Sequence, residues 1–174
     1  ELAAEIRASA KPVTAVANSL AASAAYWIGT AASEFYVSPG GEVGSIGVWL
    51  AHEDWSKALD EMGVKTTLIS SGKYKTEGNP YAPLDADARA FLQSRTDDYY
   101  AAFTRDVAKG RKTTAEAVRA GMGQGRVLGA TQARAEGMVD GVMTLDQVIR
   151  HAQRSAAPKR SALAAARNEL EILG

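Results

Sequence analysis

The feature that most constrains this chain is a change of pattern between Pro12 and Ser33. Pro12-Val-Thr-Ala-Val-Ala17 is an apolar run of strand length, and it passes straight into the alanine-rich stretch Asn18-Ser-Leu-Ala-Ala-Ser-Ala-Ala-Tyr-Trp-Ile28. Leu20, Ala24, Trp27, Ile28 and Ala31 recur at three- and four-residue spacings, which predicts a helix over 18–33. A buried strand feeding a helix places the junction at the strand's carboxyl end. Ser23 falls near the first turn of that helix, where backbone N–H groups are free and the helix dipole is positive. A hydroxyl there can attack a carbonyl while amides hold the resulting oxyanion. A serine among alanines is also simply a small residue that lets helices pack closely. The nucleophile reading therefore needs a base elsewhere in the chain.

The same alternation continues along the sequence. Residues 2–9 form a short amphipathic helix with Leu2, Ala3 and Ile6 inward, and Lys11-Pro12 stops it. Glu34–Ser38 reads as a strand ending in the turn Pro39-Gly40-Gly41, and Gly44–Leu50 follows with two glycines that allow close backbone approach. His52–Met62 reads as a helix with Trp55, Leu59 and Met62 on one face and Gly63 as its stop, and Val64–Ser70 reads as a strand. The loop 71–83 is dense in Gly, Pro and polar groups, the composition of a surface segment able to carry function. Asp85 is placed to cap a long helix reaching about Lys109, with Phe91, Leu92, Tyr99, Phe103 and Val107 as its apolar stripe. Helix Thr114–Gly121, strand Arg126–Gly129, helix Thr131–Glu136 closed by Gly137, extended Met138–Met143 and a helix from Leu145 complete the pattern. Strands alternating with helices predict an α/β fold with a mostly parallel sheet. The domain is expected over 1–155. Residues 156–174, with a charged, alanine-rich helix over Lys159–Leu173, are expected to be an extension or linker, or to pack on a second subunit.

Composition removes several function classes. In 174 residues, 46% hydrophobic and 23% charged content describe a globular chain. Lys+Arg and Asp+Glu both number 20, so no basic stripe argues for nucleic acid. Cysteine is absent, which excludes disulfides, thiol catalysis and zinc–thiolate sites. No apolar run approaches a membrane span. The two histidines, His52 and His151, lack an acidic pattern that would make a metal site, and only they could serve a Ser-His-Asp triad. Gly121-Met-Gly-Gln-Gly125 lacks the Gly-Lys-Ser/Thr ending of a phosphate loop. No cofactor is implied. Lysine is the remaining base, and it must be deprotonated by burial or a neighbouring positive group to accept a proton near neutral pH. Lys73 and Lys75 flank Tyr74, and alternate residues of an extended segment point the same way, so Lys75 can turn inward while Lys73 stays in water.

Five runs then occur in a recognisable order: Ala22-Ser23-Ala24-Ala25-Tyr26-Trp27, Gly44-Ser45-Ile46-Gly47-Val48, Ser71-Gly72-x-x-Lys75, Gly125-Arg126-Val127 and Glu136-Gly137-Met138-Val139-Asp140. Together they cover residues 11 to about 150, and the set resembles the signal peptide peptidase A family of serine peptidases. Ala51-His52 after the Gly-Ser-Ile-Gly-Val run, and Gly78-Asn79-Pro80-Tyr81 after Lys75, are similar to the phage branch, the capsid assembly or prohead proteases. The resemblance implies a Clp protease/crotonase-like fold and a Ser-Lys dyad. By position, Ser23 matches the nucleophile, Lys75 the general base, and Ser45 the hydroxyl that orients the lysine. The Ala24 amide matches an oxyanion donor.

Two departures stand out. The family's nucleophile is followed by two glycines where this chain has Ala24 and Ala25. The family also has a Ser-Pro-Gly-Gly element upstream of its Lys-Pro-Val strand. Here the same letters occur at Ser38–Gly41, where they read as a turn. A further oxyanion donor and a first strand are therefore expected to be missing from residues 1–174, and the activity of this span alone is expected to be weak or absent. The resemblance further implies polypeptide substrates and a homo-oligomer with sites near protomer interfaces, to which Trp49, Trp55 and Tyr81 could contribute. The phage role implies cleavage of scaffold and capsid proteins inside a prohead in the host cytoplasm. The rival roles are degradation of cleaved signal peptides by a membrane-anchored enzyme, and a catalytically silent assembly module of the same fold.

Overall fold

Residues 1–156 are described by a computed structural model of the chain. Its frame is two small sheets. In the first, β1 (Thr14–Ala17), β3 (Glu34–Val37) and β6 (Gly141–Val142) run parallel in the order β1-β3-β6, with Thr14 opposite Glu34 and Tyr36 opposite Gly141. In the second, β2 (Leu20–Ala22) is parallel to β4 (Glu42–Gly44), and β4 is antiparallel to β5 (Val127–Gly129). Parallel neighbours need a crossover, and helix α2 (Ala24–Gly29) supplies the one that leads from β2 to β3.

Helices cover this frame. The short α1 (Leu2–Ala8) buries Ala3, while Leu2 is exposed. Helix α4 (Ala86–Gly110) is started by Asp85, whose carboxylate accepts the Ala88 N–H at 2.8 Å, and α5 (Ala115–Ala120) by Thr114, which accepts from Ala117. Gly110 lies so close to the Thr30 carbonyl that a Cβ there would collide with it. Helix α6 (Ala130–Ala135) ends at Gly137, whose φ of 72° is the left-handed C-terminal stop that glycine provides. Helix α7 (Leu145–Ala156) closes the described chain. Tyr26, Phe35, Val37, Val43, Phe103, Val107 and Met138 are fully buried at the centre. The Tyr26 hydroxyl is satisfied there by the Met138 carbonyl at 2.9 Å.

Four expectations change. The helix predicted over 18–33 begins only at Ala24, because Leu20–Ala22 pairs in register with Glu42–Gly44. A sheet ladder overrides alanine's helix preference where a partner strand is present. The helix predicted from His52 is reduced to α3 (Ser56–Glu61), which buries none of its residues. Val64–Ser70 forms no strand, since nothing among the described residues pairs with it, and every residue from Asp60 to Lys75 is exposed. Of the α4 stripe only Phe103 and Val107 are buried, whereas Phe91 and Tyr99 are more than half exposed. The tail helix expected over Lys159–Leu173 lies outside the described residues.

Residues 48–83 thus form an arm. Its base is pinned where Trp55 N–H donates to the Pro80 carbonyl at 2.8 Å and His52 Nε2 meets the Asn79 carbonyl at 3.0 Å. Its apolar side chains have no cover: Trp49 is 86% exposed and Ile69 96%, and Met62 and Leu68 are exposed as well.

Candidate active site

Ser23 sits at the turn between β2 and α2 with φ 54° and ψ −120°, a conformation that L-residues rarely adopt. Two hydrogen bonds hold it there. Its N–H donates to the Gly44 carbonyl at 2.8 Å, and its carbonyl accepts the first intrahelical bond of α2, from Trp27 N–H at 2.9 Å. A sharp strand-to-helix turn of this kind pushes a hydroxyl clear of the sheet edge, and Ser23 is exposed. Because the Ser23 N–H is spent on Gly44, it cannot serve an oxyanion. The Ala24 N–H lies in the first turn of α2, ahead of the first intrahelical bond, so the helix offers it no acceptor.

Ser45 is brought alongside by strand register. Ala22 pairs with Gly44, so Ser23 and Ser45 each stand one step past that pair at the ends of neighbouring strands. Ser45 has φ 55°, is half-buried, and is anchored through its N–H to the Arg126 carbonyl at 2.8 Å.

A cleft of about 320 Å³ opens beside Ser23, lined by Ala24, Trp27, Val48, Trp49, Tyr99 and Phe103. Its lining is mainly apolar, which suits a hydrophobic side chain of a ligand. Trp27, Tyr99 and Phe103 were legible only as helix stripe residues. The available signal was spacing, since Trp27 follows Ser23 by four residues and so shares its face of the turn.

The remaining candidates do not converge. Lys75 is exposed on the arm, and the cleft at Ser23 is lined without it. His52 ties down the arm through Asn79. His151 Nε2 lies 3.0 Å from a Glu34 carboxylate oxygen and 3.2 Å from the Tyr36 hydroxyl, holding α7 to β3. Neither histidine approaches Ser23 in the way a triad requires. Among the described residues no group of His, Asp and Glu could hold a metal ion. No described helix is long and apolar enough to cross a membrane.

The model of Peptidase family S49 matches residues 5–159. The chain belongs to this family. Within Peptidase family S49, it is 47% identical over 87 residues to the capsid assembly protease C of Escherichia phage lambda, covering 50% of this chain and 20% of that protein. It is 31% identical over 160 residues to Protease 4 of Salmonella typhi, covering 92% of this chain and 25% of that protein. The chain therefore spans a quarter or less of these relatives' lengths. Among solved structures, the 1510-N membrane-bound stomatin-specific protease superposes with a TM-score of 0.53 at 14% identity, over 86% of this chain and 59% of that one. That likeness bears on the fold alone, and the fold is the Clp protease/crotonase-like α/β arrangement expected from the sequence.

Proposed function

We propose that the chain is the catalytic segment of a serine endopeptidase with Ser23 as nucleophile and Lys75 as general base. The observation that carries the reading is the strained turn at Ser23, which holds an exposed hydroxyl at the end of a parallel strand, beside an apolar cleft and a free amide. Ser23 Oγ attacks the peptide carbonyl while the neutral Lys75 amine takes its proton. The Ala24 N–H holds the oxyanion. The C–N bond then breaks, and the lysine returns the proton to the leaving amine. Lys75 next activates a water that hydrolyses the acyl-enzyme. Ser45, fixed at the neighbouring strand end, hydrogen-bonds the lysine amine and sets its approach.

A lysine base must be buried to stay neutral, and one copy of the chain leaves Lys75 in solvent. The reading therefore includes a homo-oligomer in which a second copy covers the arm and completes the dyad. The likeness to the phage lambda capsid assembly protease supports scaffold and capsid proteins as substrates.

The test is covalent labelling with a fluorophosphonate. Ser23→Ala is expected to abolish labelling. Lys75→Ala is expected to slow it by about 10²–10⁴-fold with the circular dichroism spectrum unchanged. Undiminished labelling of Lys75→Ala sinks the dyad, and undiminished labelling of Ser23→Ala sinks the nucleophile. Cleavage of signal peptides but not of capsid or scaffold protein by the active oligomer would move the assignment to the rival role.

A further inference from the structure

Trp27 is the one residue of the cleft beside Ser23 that is fixed on two sides. Its ring stacks on Phe103 with centroids 4.6 Å apart and 6° between the planes. Its Nε1–H donates to Asp106 Oδ2 at 2.8 Å. Asp106 is held in turn. Arg7 of α1 brings one guanidinium nitrogen to 3.5 Å from Oδ1 and donates from another to the Asp106 backbone carbonyl at 3.3 Å, and the Lys109 amine lies 3.7 Å from Oδ1. An indole laid flat on a neighbouring ring and tied at its only polar atom keeps one rotamer, so this wall of the cleft stands in place before any ligand arrives. The opposite rim differs. Trp49 is 86% exposed and Tyr99 54%, and neither is packed into the core.

Resting on the reading of Ser23 as nucleophile, we propose that Trp27, positioned by Asp106 and Arg7, sets the size of the apolar side chain accepted on the acyl side of the scissile bond. A cleft of about 320 Å³ is at the lower end for ligand sites. With its back wall immobile it takes a side chain of Leu or Met size and turns away Phe and Trp. Trp27 is the specificity residue. Asp106 and Arg7 are positioning residues that never meet the substrate, and they link the N-terminal helix to the cleft.

The experiment uses the active oligomer and peptidyl phosphonates that differ only in the acyl-side residue, Ala, Leu, Phe or Trp, with the rate of attachment to Ser23 as readout. The wild-type protein is expected to favour Leu over Phe by about tenfold or more, the scale on which a pocket discriminates by size. Trp27→Ala should reverse that order. Trp27→Phe, which keeps a ring on Phe103, should shift it the same way by less and serves if the alanine variant does not fold. Asp106→Leu should bring the Leu-to-Phe ratio towards one through the concentration dependence of labelling, leaving the rate at saturating Leu probe intact. Asp106→Asn, whose side-chain carbonyl still accepts the indole N–H, should keep the wild-type order. A wild-type preference for Phe, or an unchanged ratio in both Trp27 variants while Ser23 is still labelled, overturns the proposal alone. Absence of Ser23-dependent labelling by every probe in the wild-type protein overturns the nucleophile beneath it.

Discussion

Ser23 holds its backbone where a Cβ costs energy, and that cost is measurable. Non-glycine residues in such regions carry on the order of 1–3 kcal/mol of strain, sustained by the surrounding structure. Ser23→Gly removes the Cβ and relieves the strain, offset by the greater freedom glycine has in the unfolded chain. The expected net effect is a gain of roughly 0.5–2 kcal/mol in urea unfolding, together with loss of fluorophosphonate labelling. Ser23→Ala keeps the Cβ, so it should lose labelling without the gain in stability. Equal stability of the two variants would show that the turn is not strained. The alanines after Ser23, where the family has glycines, are accommodated because α2 starts at Ala24 in ordinary helical geometry. The left-handed demand falls on Ser23 itself.

At the scale of elements, the junction between α4 and the first sheet depends on one carboxylate. Asp140 takes two hydrogen bonds from the Arg111 guanidinium, at 2.8 and 3.1 Å, and one from the Phe35 N–H at 2.7 Å, while Arg111 Nε also donates to the Gly137 carbonyl. Partial burial works against the Asp140 charge, but the hydrogen bonds from Arg111 and Phe35 and the charges of Arg111 and Lys112 outweigh it, so the carboxyl titrates below its usual range. A carboxyl lowered on folding contributes stability above the ordinary carboxylate range and loses it as pH falls through the lowered value. Asp140→Asn is expected to cost about 1–3 kcal/mol at pH 7, the scale of hydrogen bonds to a charged group. It should also flatten the acid side of the stability–pH curve. A parallel downward displacement of the whole curve would contradict this assignment.

Helix starts such as Asp85 and Thr114 were legible in the sequence because a cap is a local interaction between a side chain and an amide three residues on. Strand β2 was not. Its three residues are ordinary helix formers, and only the distant Glu42–Gly44 makes them a strand. The arm illustrates the opposite failure. Val64–Ser70 has strand-forming residues, but extended backbone becomes a strand only beside another. Ser23 and Ser45 were both legible as motif residues, while their adjacency required the parallel register of β2 and β4. The role of Trp27 was hidden because its partners Phe103 and Asp106 are more than seventy positions away in the sequence.

At the scale of the molecule, the uncovered arm and the distant Lys75 point to assembly from several copies. Mixing Ser23→Ala with Lys75→Ala protein is expected to restore part of the labelling that each lacks alone, because a mixed pair can place one intact serine beside one intact lysine. Assemblies in which serine and lysine belong to the same copy would show no recovery at any mixing ratio. If the dyad does cross copies, the bare arm has a kinetic consequence. Catalysis becomes second order in protein at low occupancy, so dilution silences the enzyme and crowding into a small volume switches it on. A protease built in this way would need no inhibitor while its copies are scattered, and confinement with its substrates would start the reaction.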